Sequence, residues 1–180
     1  DGTVIQKILN DDVYNTRVKI LEQFFFTIFP KKDIKDLLIK SLSRFTVLCE
    51  DAVIKVPVVD GAMETLNALQ NLKKRLFISS LTPEDTLNKI VIKRGMNFYF
   101  EHIFGSPKTK VSHLKKIQYL TGVMPSDIVY IGDSNSDMTA SLQFGCNYIG
   151  IGKDESIYDS KPAYFLKDFT NFFEGLKNEN

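Results

Sequence analysis

Two patterns in the chain predict an α/β protein, a parallel sheet flanked by helices with a small α-helical module near its start. From about residue 4 to 56 apolar residues recur at helical spacing. From Pro57 onward short apolar runs alternate with amphipathic stretches, the pattern of parallel strands joined by crossover helices. The chain's 180 residues hold one domain with a proper core. A helical stretch of roughly fifty residues is too small for a comfortable independent domain, so it reads as an insertion.

Taken in order, Val13, Arg17 and Ile20 to Phe24 predict one helix, and Ile34, Leu37, Leu38, Ser41 and Leu42 a second. Phe24, Phe25, Phe26 and Phe29 read as internal packing, the commoner fate of aromatics at helical spacing, with one or two able to face a site. Ala62 to Lys74 brings Met63, Leu66, Leu69 and Leu72 near one face, with Asp60 as N-cap and Lys73-Lys74-Arg75 complementing the negative helix end. Strands are predicted at Arg75 to Ser79, His102 to Phe104, Ile128 to Gly132 and Asn147 to Ile151, with a weaker one at Ala163 to Phe165. Thr82-Pro83-Glu84-Asp85 supplies a cap, a proline at the first helical position and an acid three residues after the cap. A helix is therefore expected from Pro83 to Arg94, stopped by Gly95.

Composition narrows the partners. Lys and Arg number 23 against 22 Asp and Glu, so the net charge of +1 favours neither nucleic acid nor an anionic membrane. Any anion binding is local. The run Phe24 to Phe29 is far short of the roughly 20 apolar residues a membrane span needs. Cys49 and Cys146 have no metal-ligand or CxxC spacing, and no secretory signal opens the sequence, so reduced thiols and a cytoplasmic location are expected.

Three stretches carry chemistry. In IVYIGDSNSDM an apolar strand ends in Gly132-Asp133, and Asp137 follows as a helix begins. Ligands of an open parallel sheet bind beyond the carboxyl ends of its strands, which would deliver Asp133 to that rim. Two close carboxylates are costly unless a cation shares them, and Mg²⁺ favours oxygen ligands. The plainer reading makes Asp133 a helix cap and Asp137 a partner of the helix dipole. In LFISSLTP a strand ends in Ser79-Ser80, where hydroxyls and backbone N–H groups could receive phosphate or could simply satisfy a turn. In FGSPKTKVSHLKKI, Lys108 and Lys110 stand where a helix starts. A cation is unfavourable at that positive end, which points to an anion or carboxylates nearby, or else to a solvated surface lysine.

In this order, DGT (Asp1-Gly2-Thr3), a helical insertion, a strand ending in serine, a lysine before a helix and a strand ending in GDxxxD resemble the haloacid-dehalogenase-like (HAD) phosphohydrolases. The likeness is to the phosphoglycolate-phosphatase-like members with a helical cap, and it spans essentially the whole chain. It implies a Rossmann-like core of residues 1–3 and 57–180 and a cap of residues 4–56 that selects substrate. It implies Asp1 as general acid/base and, through its carbonyl, a Mg²⁺ ligand. The nucleophilic aspartate is expected two positions before Asp1, on a strand upstream of this sequence. Ser79 would bind the phosphoryl group with Ser80 as helper, and Lys110 would neutralise it, with Lys108 as the alternative lysine. Asp133 would ligate Mg²⁺, and Asp137 would be an outer carboxylate supporting metal-bound water or the lysine.

The activity so implied is Mg²⁺-dependent hydrolysis of a small phosphorylated metabolite through an aspartyl-phosphate. A phosphomutase on the same scaffold and a non-catalytic relative lacking the nucleophile are the alternatives. Retention of Asp1, Ser79, Lys110, Asp133 and Asp137 favours an enzyme. A GDS-type esterase with Ser134 as nucleophile would need a histidine base. His102 and His113 both precede Ser134 and read as an ordinary strand residue and a helix-face residue.

Overall fold

The structure, a computed structural model, describes residues 17–175. These fall into two compact units divided between Val56 and Pro57. Asp1-Gly2-Thr3, and with them the expected roles of Asp1, lie outside the described residues, as does Val13 of the first predicted helix.

In the first unit, α1 (Arg17–Ile28) packs on α2 (Lys35–Lys55). Phe25 and Ile34 are buried, and the Phe24 and Phe25 rings stand 5.6 Å apart. The four phenylalanines expected inside part company: Phe25 is buried, Phe24 and Phe29 are half-buried, and Phe26 is exposed. Successive helical side chains point about 100° apart, so a run of aromatics cannot share one face.

The second unit begins with α3 (Ala62–Asn71), whose N-cap is Gly61 and not the expected Asp60. Gly61 has φ 73°, and a Cβ there would strike the Phe169–Thr170 backbone, so only glycine fits. The Asp60 carbonyl instead accepts from the Phe169 N–H at 2.9 Å. The helix stops before Lys73, which turns the chain at φ 55°. Arg75 therefore serves no helix end; it forks onto Glu101, Nε to Oε1 at 2.8 Å and Nη2 to Oε2 at 2.7 Å.

Strand β1 (Phe77–Pro83) runs on through Thr82-Pro83, where a helix start was expected, with an irregularity between Ser79 and Pro83. Helix α4 (Glu84–Lys93) follows without a side-chain cap. The Thr82 N–H donates to Ser80 Oγ at 3.1 Å, and the first helical residue, Glu84, accepts from the Gly105 N–H at 3.0 Å. A local turn at Ser80 and the long-range Glu84–Gly105 bond thus replaced the expected capping pattern. Then come β2 (His102–Ser106), α5 (Lys110–Thr121), β3 (Val129–Gly132), α6 (Asn135–Phe144), β4 (Asn147–Ile151), β5 (Tyr164–Leu166) and α7 (Phe172–Gly175).

All pairing is parallel, as the alternation of strands and helices requires. β1 pairs β2 with Ser79 opposite Phe104, and β4 lies between β3 and β5 with Gly132 opposite Gly150. Among the described residues β1 and β3 have no second neighbour. Among the described residues the strands form two sheets, β1–β2 and β3–β4–β5, and Leu114, Tyr130, Met138, Tyr148 and Tyr158 form the core at the second. Leu114 is fully buried, which is worth about 2–3 kcal/mol. Among the described residues no helix is long and apolar enough to cross a membrane.

Candidate active site

The candidate site collects at Ser79, where the regular β1–β2 register ends, at the carboxyl end of β3 and at the first turns of α5 and α6. Lys110 is the first residue of α5, capped by Thr109, whose side chain accepts from the Ser112 N–H at 3.2 Å. Its Nζ lies 2.6 Å from Asp137 Oδ1, and both side chains are largely buried. The cation at a helix start is thereby explained: a carboxylate meets it. Lys110 also donates to Ser136 Oγ at 2.7 Å and reaches Ser134 Oγ at 3.4 Å. Lys108 lies elsewhere, lining a cavity with Phe104, Ser112, His113 and Tyr119.

Asp137 is 6% exposed, and its oxygens are well occupied. Oδ1 accepts from the Tyr130 hydroxyl at 2.9 Å as well as from Lys110, and Oδ2 accepts from Ser134 at 2.5 Å. Gly132 makes this possible, because a Cβ there would collide with the Asp137 side chain. The loop after β3 is held from below: the Gly132 carbonyl accepts from Tyr148 at 2.9 Å and from Tyr158 at 3.0 Å. Burial, with the acceptors around them, holds the Tyr130 and Tyr148 hydroxyls far above the ordinary phenol range, so both stay protonated donors. Asn135 bonds the Asp159 side chain and accepts from its N–H at 3.2 Å, tying the start of α6 to the next loop.

Asp133 behaves differently from Asp137. The N-cap of α6 is Ser134, so Asp133 does not cap the helix. It is exposed at the rim and, among the described residues, makes no side-chain hydrogen bond or ion pair. No group of three or more His, Cys, Asp or Glu side chains able to hold a metal occurs among the described residues. Mg²⁺ does not need such a cage, since one or two carboxylates, waters and substrate phosphate suffice. An open carboxylate at the strand end fits that ion; Asp137, with donors on both oxygens, fits the task of holding Lys110.

Ser79 and Ser80 divide. Ser80 Oγ is spent on the Thr82 N–H, the ordinary turn role. Ser79 Oγ lies 2.9 Å from His113 Nδ1 and 3.2 Å from the Tyr130 hydroxyl. His113 is 1% exposed, and its Nε2 lies 3.1 Å from the Gly105 carbonyl. A carbonyl only accepts, so Nε2 carries a proton and Nδ1 of the neutral ring accepts from Ser79. Burial lowers the His113 pKa and so favours that neutral ring. His113 also stacks on Phe104 at 5.6 Å. Read from sequence, His113 is only a helix-face residue, and Tyr130 and Tyr148 are only strand residues. For His113 a signal existed: it lies one helical turn from buried Ile117 and beside Leu114. Ser134 has no histidine partner, which removes the esterase reading.

Parallel strands joined by helices, with polar side chains gathered at the carboxyl rim, define the class as an open α/β fold that binds ligands at its strand ends. A model of the haloacid dehalogenase-like hydrolases matches residues 5–151, and the chain belongs to that family. A phosphoglycolate phosphatase of Pasteurella multocida is 26% identical, matched over 72% of this chain and 60% of its own length. A protein named probable phosphoglycolate phosphatase from Pseudomonas putida is 22% identical, over 67% of this chain and 52% of its own length. The chain thus spans between half and two thirds of these two relatives. The crystal structure of a predicted phosphoglycolate phosphatase from Haemophilus somnus shares the fold, with a TM-score of 0.73 at 17% identity over 90% of this chain and 78% of that one.

Proposed function

We propose that this chain is the main part of a Mg²⁺-dependent phosphatase acting on a small phosphorylated metabolite in the cytoplasm. The observation that carries the reading is the buried Lys110–Asp137 pair, set beside an open Asp133 carboxylate at the strand-end rim. Lys110 directs positive charge to where phosphoryl oxygens would sit, and Asp137, Tyr130 and Ser134 fix its position in advance. Ser79 adds a hydroxyl contact to the phosphoryl group, with the Ser80 backbone beside it.

Asp133 and the backbone carbonyl of Asp1 would hold Mg²⁺, which would neutralise phosphoryl charge that otherwise repels an anionic nucleophile. Asp1 would give a proton to the leaving alkoxide and later take one from water. The nucleophile would be a carboxylate two positions before Asp1, forming the aspartyl-phosphate. Residues 4–56 would act as the cap that selects substrate. The names of the two relatives make phosphoglycolate the first substrate to try.

The test is hydrolysis of an aryl phosphate by the intact protein. Turnover is expected only with Mg²⁺, lost on chelation, and reduced at least about a thousandfold in Asp133→Asn. Metal-independent turnover would sink the reading. Transfer of the phosphoryl group to a second sugar position, with no free phosphate released, would make the protein a mutase.

A further inference from the structure

The hydrogen bond between Ser79 and His113 conflicts with the task given to Ser79. A phosphoryl oxygen can only accept, so Ser79 must donate to bind it. In the structure that proton is committed: His113 Nε2 faces the Gly105 carbonyl at 3.1 Å, which leaves Nδ1, 2.9 Å from Ser79 Oγ, as an acceptor. If Ser79 turned its proton to a ligand, the nearly inaccessible Nδ1 of a neutral ring would lose its donor, and leaving a buried acceptor unsatisfied costs about 1–3 kcal/mol. Protonating His113 resolves the conflict. Both ring nitrogens then donate, Nε2 to Gly105 and Nδ1 to Ser79, and the Ser79 proton is released toward the site.

We propose that His113 is a positioning residue whose protonation makes Ser79 accept from Nδ1 and frees the Ser79 proton for the site, so that an oxyanion at Ser79 binds together with a proton taken up from solvent by His113. This rests on the reading of Ser79 as a phosphate contact. Among the described residues the groups around the ring are few. Glu84 at the start of α4 favours the charged ring and Lys108 opposes it. Phe104 from β2 covers one face of the ring, and beyond Ser79 stand Tyr130, Asp137 and Lys110. Without a ligand, burial favours the neutral form. A dianion beside Ser79 reverses the preference through the relayed hydrogen bond.

The experiment is an NMR titration of the imidazole Cε1–H resonances of the intact protein, with and without sulfate, whose charge is constant across the neutral range. The His113 signal is the one absent from His113→Gln. Its midpoint is expected below the ordinary histidine value without sulfate and higher by about one unit at saturating sulfate. In Ser79→Ala sulfate still moves the Lys110 resonances, but the His113 rise disappears. A rise that persists in Ser79→Ala would mean that charge alone acts on the ring, and the proposal would be wrong. An unmoved His113 midpoint while Ser79 and Lys110 resonances shift would overturn the coupling and leave the phosphate reading intact. No shift at Ser79 or Lys110 would remove both.

Discussion

The two compact units contrast in what their sequences must satisfy. In the helical unit α2 has no fully buried residue, and among the described residues Phe25 and Ile34 carry the burial. In the α/β unit a carbonyl, a carboxylate and a hydroxyl each find named partners: Gly132 meets Tyr148 and Tyr158, Asp137 meets Lys110, Tyr130 and Ser134, and Ser79 meets His113. An amphipathic pair of helices asks only for apolar residues at roughly the right places, whereas a polar constellation fixes residue type, position and proton. Substitutions should therefore be costly and specific in the second unit and mild in the first, except at its few buried positions.

Within the buried constellation the largest effect is expected at Lys110. Lys110→Met keeps the stem and removes the charge, so kcat/KM should fall about a hundred- to a thousandfold, the scale of losing one oriented electrostatic contact. Leaving Asp137 buried without its cation should also cost stability, about 3 kcal/mol by urea denaturation. A variant that folds and keeps the parent's rate would mean that the buried Lys110–Asp137 pair does not serve the site.

Gly132→Ala comes next. It adds no charge and removes no hydrogen-bonding group, yet its methyl would meet the Asp137 side chain. A loss on the order of 2–3 kcal/mol is expected, with activity falling as Asp137 and Lys110 are displaced. Stability unchanged by the methyl would mean that the loop yields, and that the tyrosines beneath it do not hold it rigidly.

What the sequence made legible follows the same division. β4 spans the predicted Asn147–Ile151, and β3 begins one residue after the predicted start, because runs of Ile, Val and Tyr between turn residues have few other uses. Lys110 stood out because a cation at a helix start is unfavourable without a partner. The hidden parts depended on distant chain. Gly61, not Asp60, caps α3 because residues 169 and 170 crowd it. The strand runs on through Thr82 because Pro83 pairs with Ser106 and Glu84 reaches Gly105. His113 looks like any helix-face histidine until Ser79 and Gly105 arrive from two different strands.

A smaller effect is expected with pH. Burial holds the His113 pKa below its ordinary value of 6.5, so between the two values the unfolded chain binds more protons than the folded one. Stability is then complete above the unfolded value and declines as the pH falls through it toward the folded one. Thermal melts from neutral to mildly acidic pH should show a falling midpoint, and the fall should be shallower in His113→Gln. Equal slopes would assign the acid sensitivity to other groups.

The smallest effect is expected at Phe26. It is 53% exposed on α1, while Phe25 beside it is buried at 8%. Phe26→Ser removes a ring that solvent already reaches, so the unfolding free energy from urea titration should change by no more than about 0.5 kcal/mol. Phe25→Ser empties a packed position and should cost several times as much. The pair is informative because the residues are neighbours of the same type in the same helix, leaving burial as the difference. Equal losses at both positions would mean that the exposed ring is covered in the working protein, and the helical unit would then be as tightly specified on that face as the α/β unit is at its site.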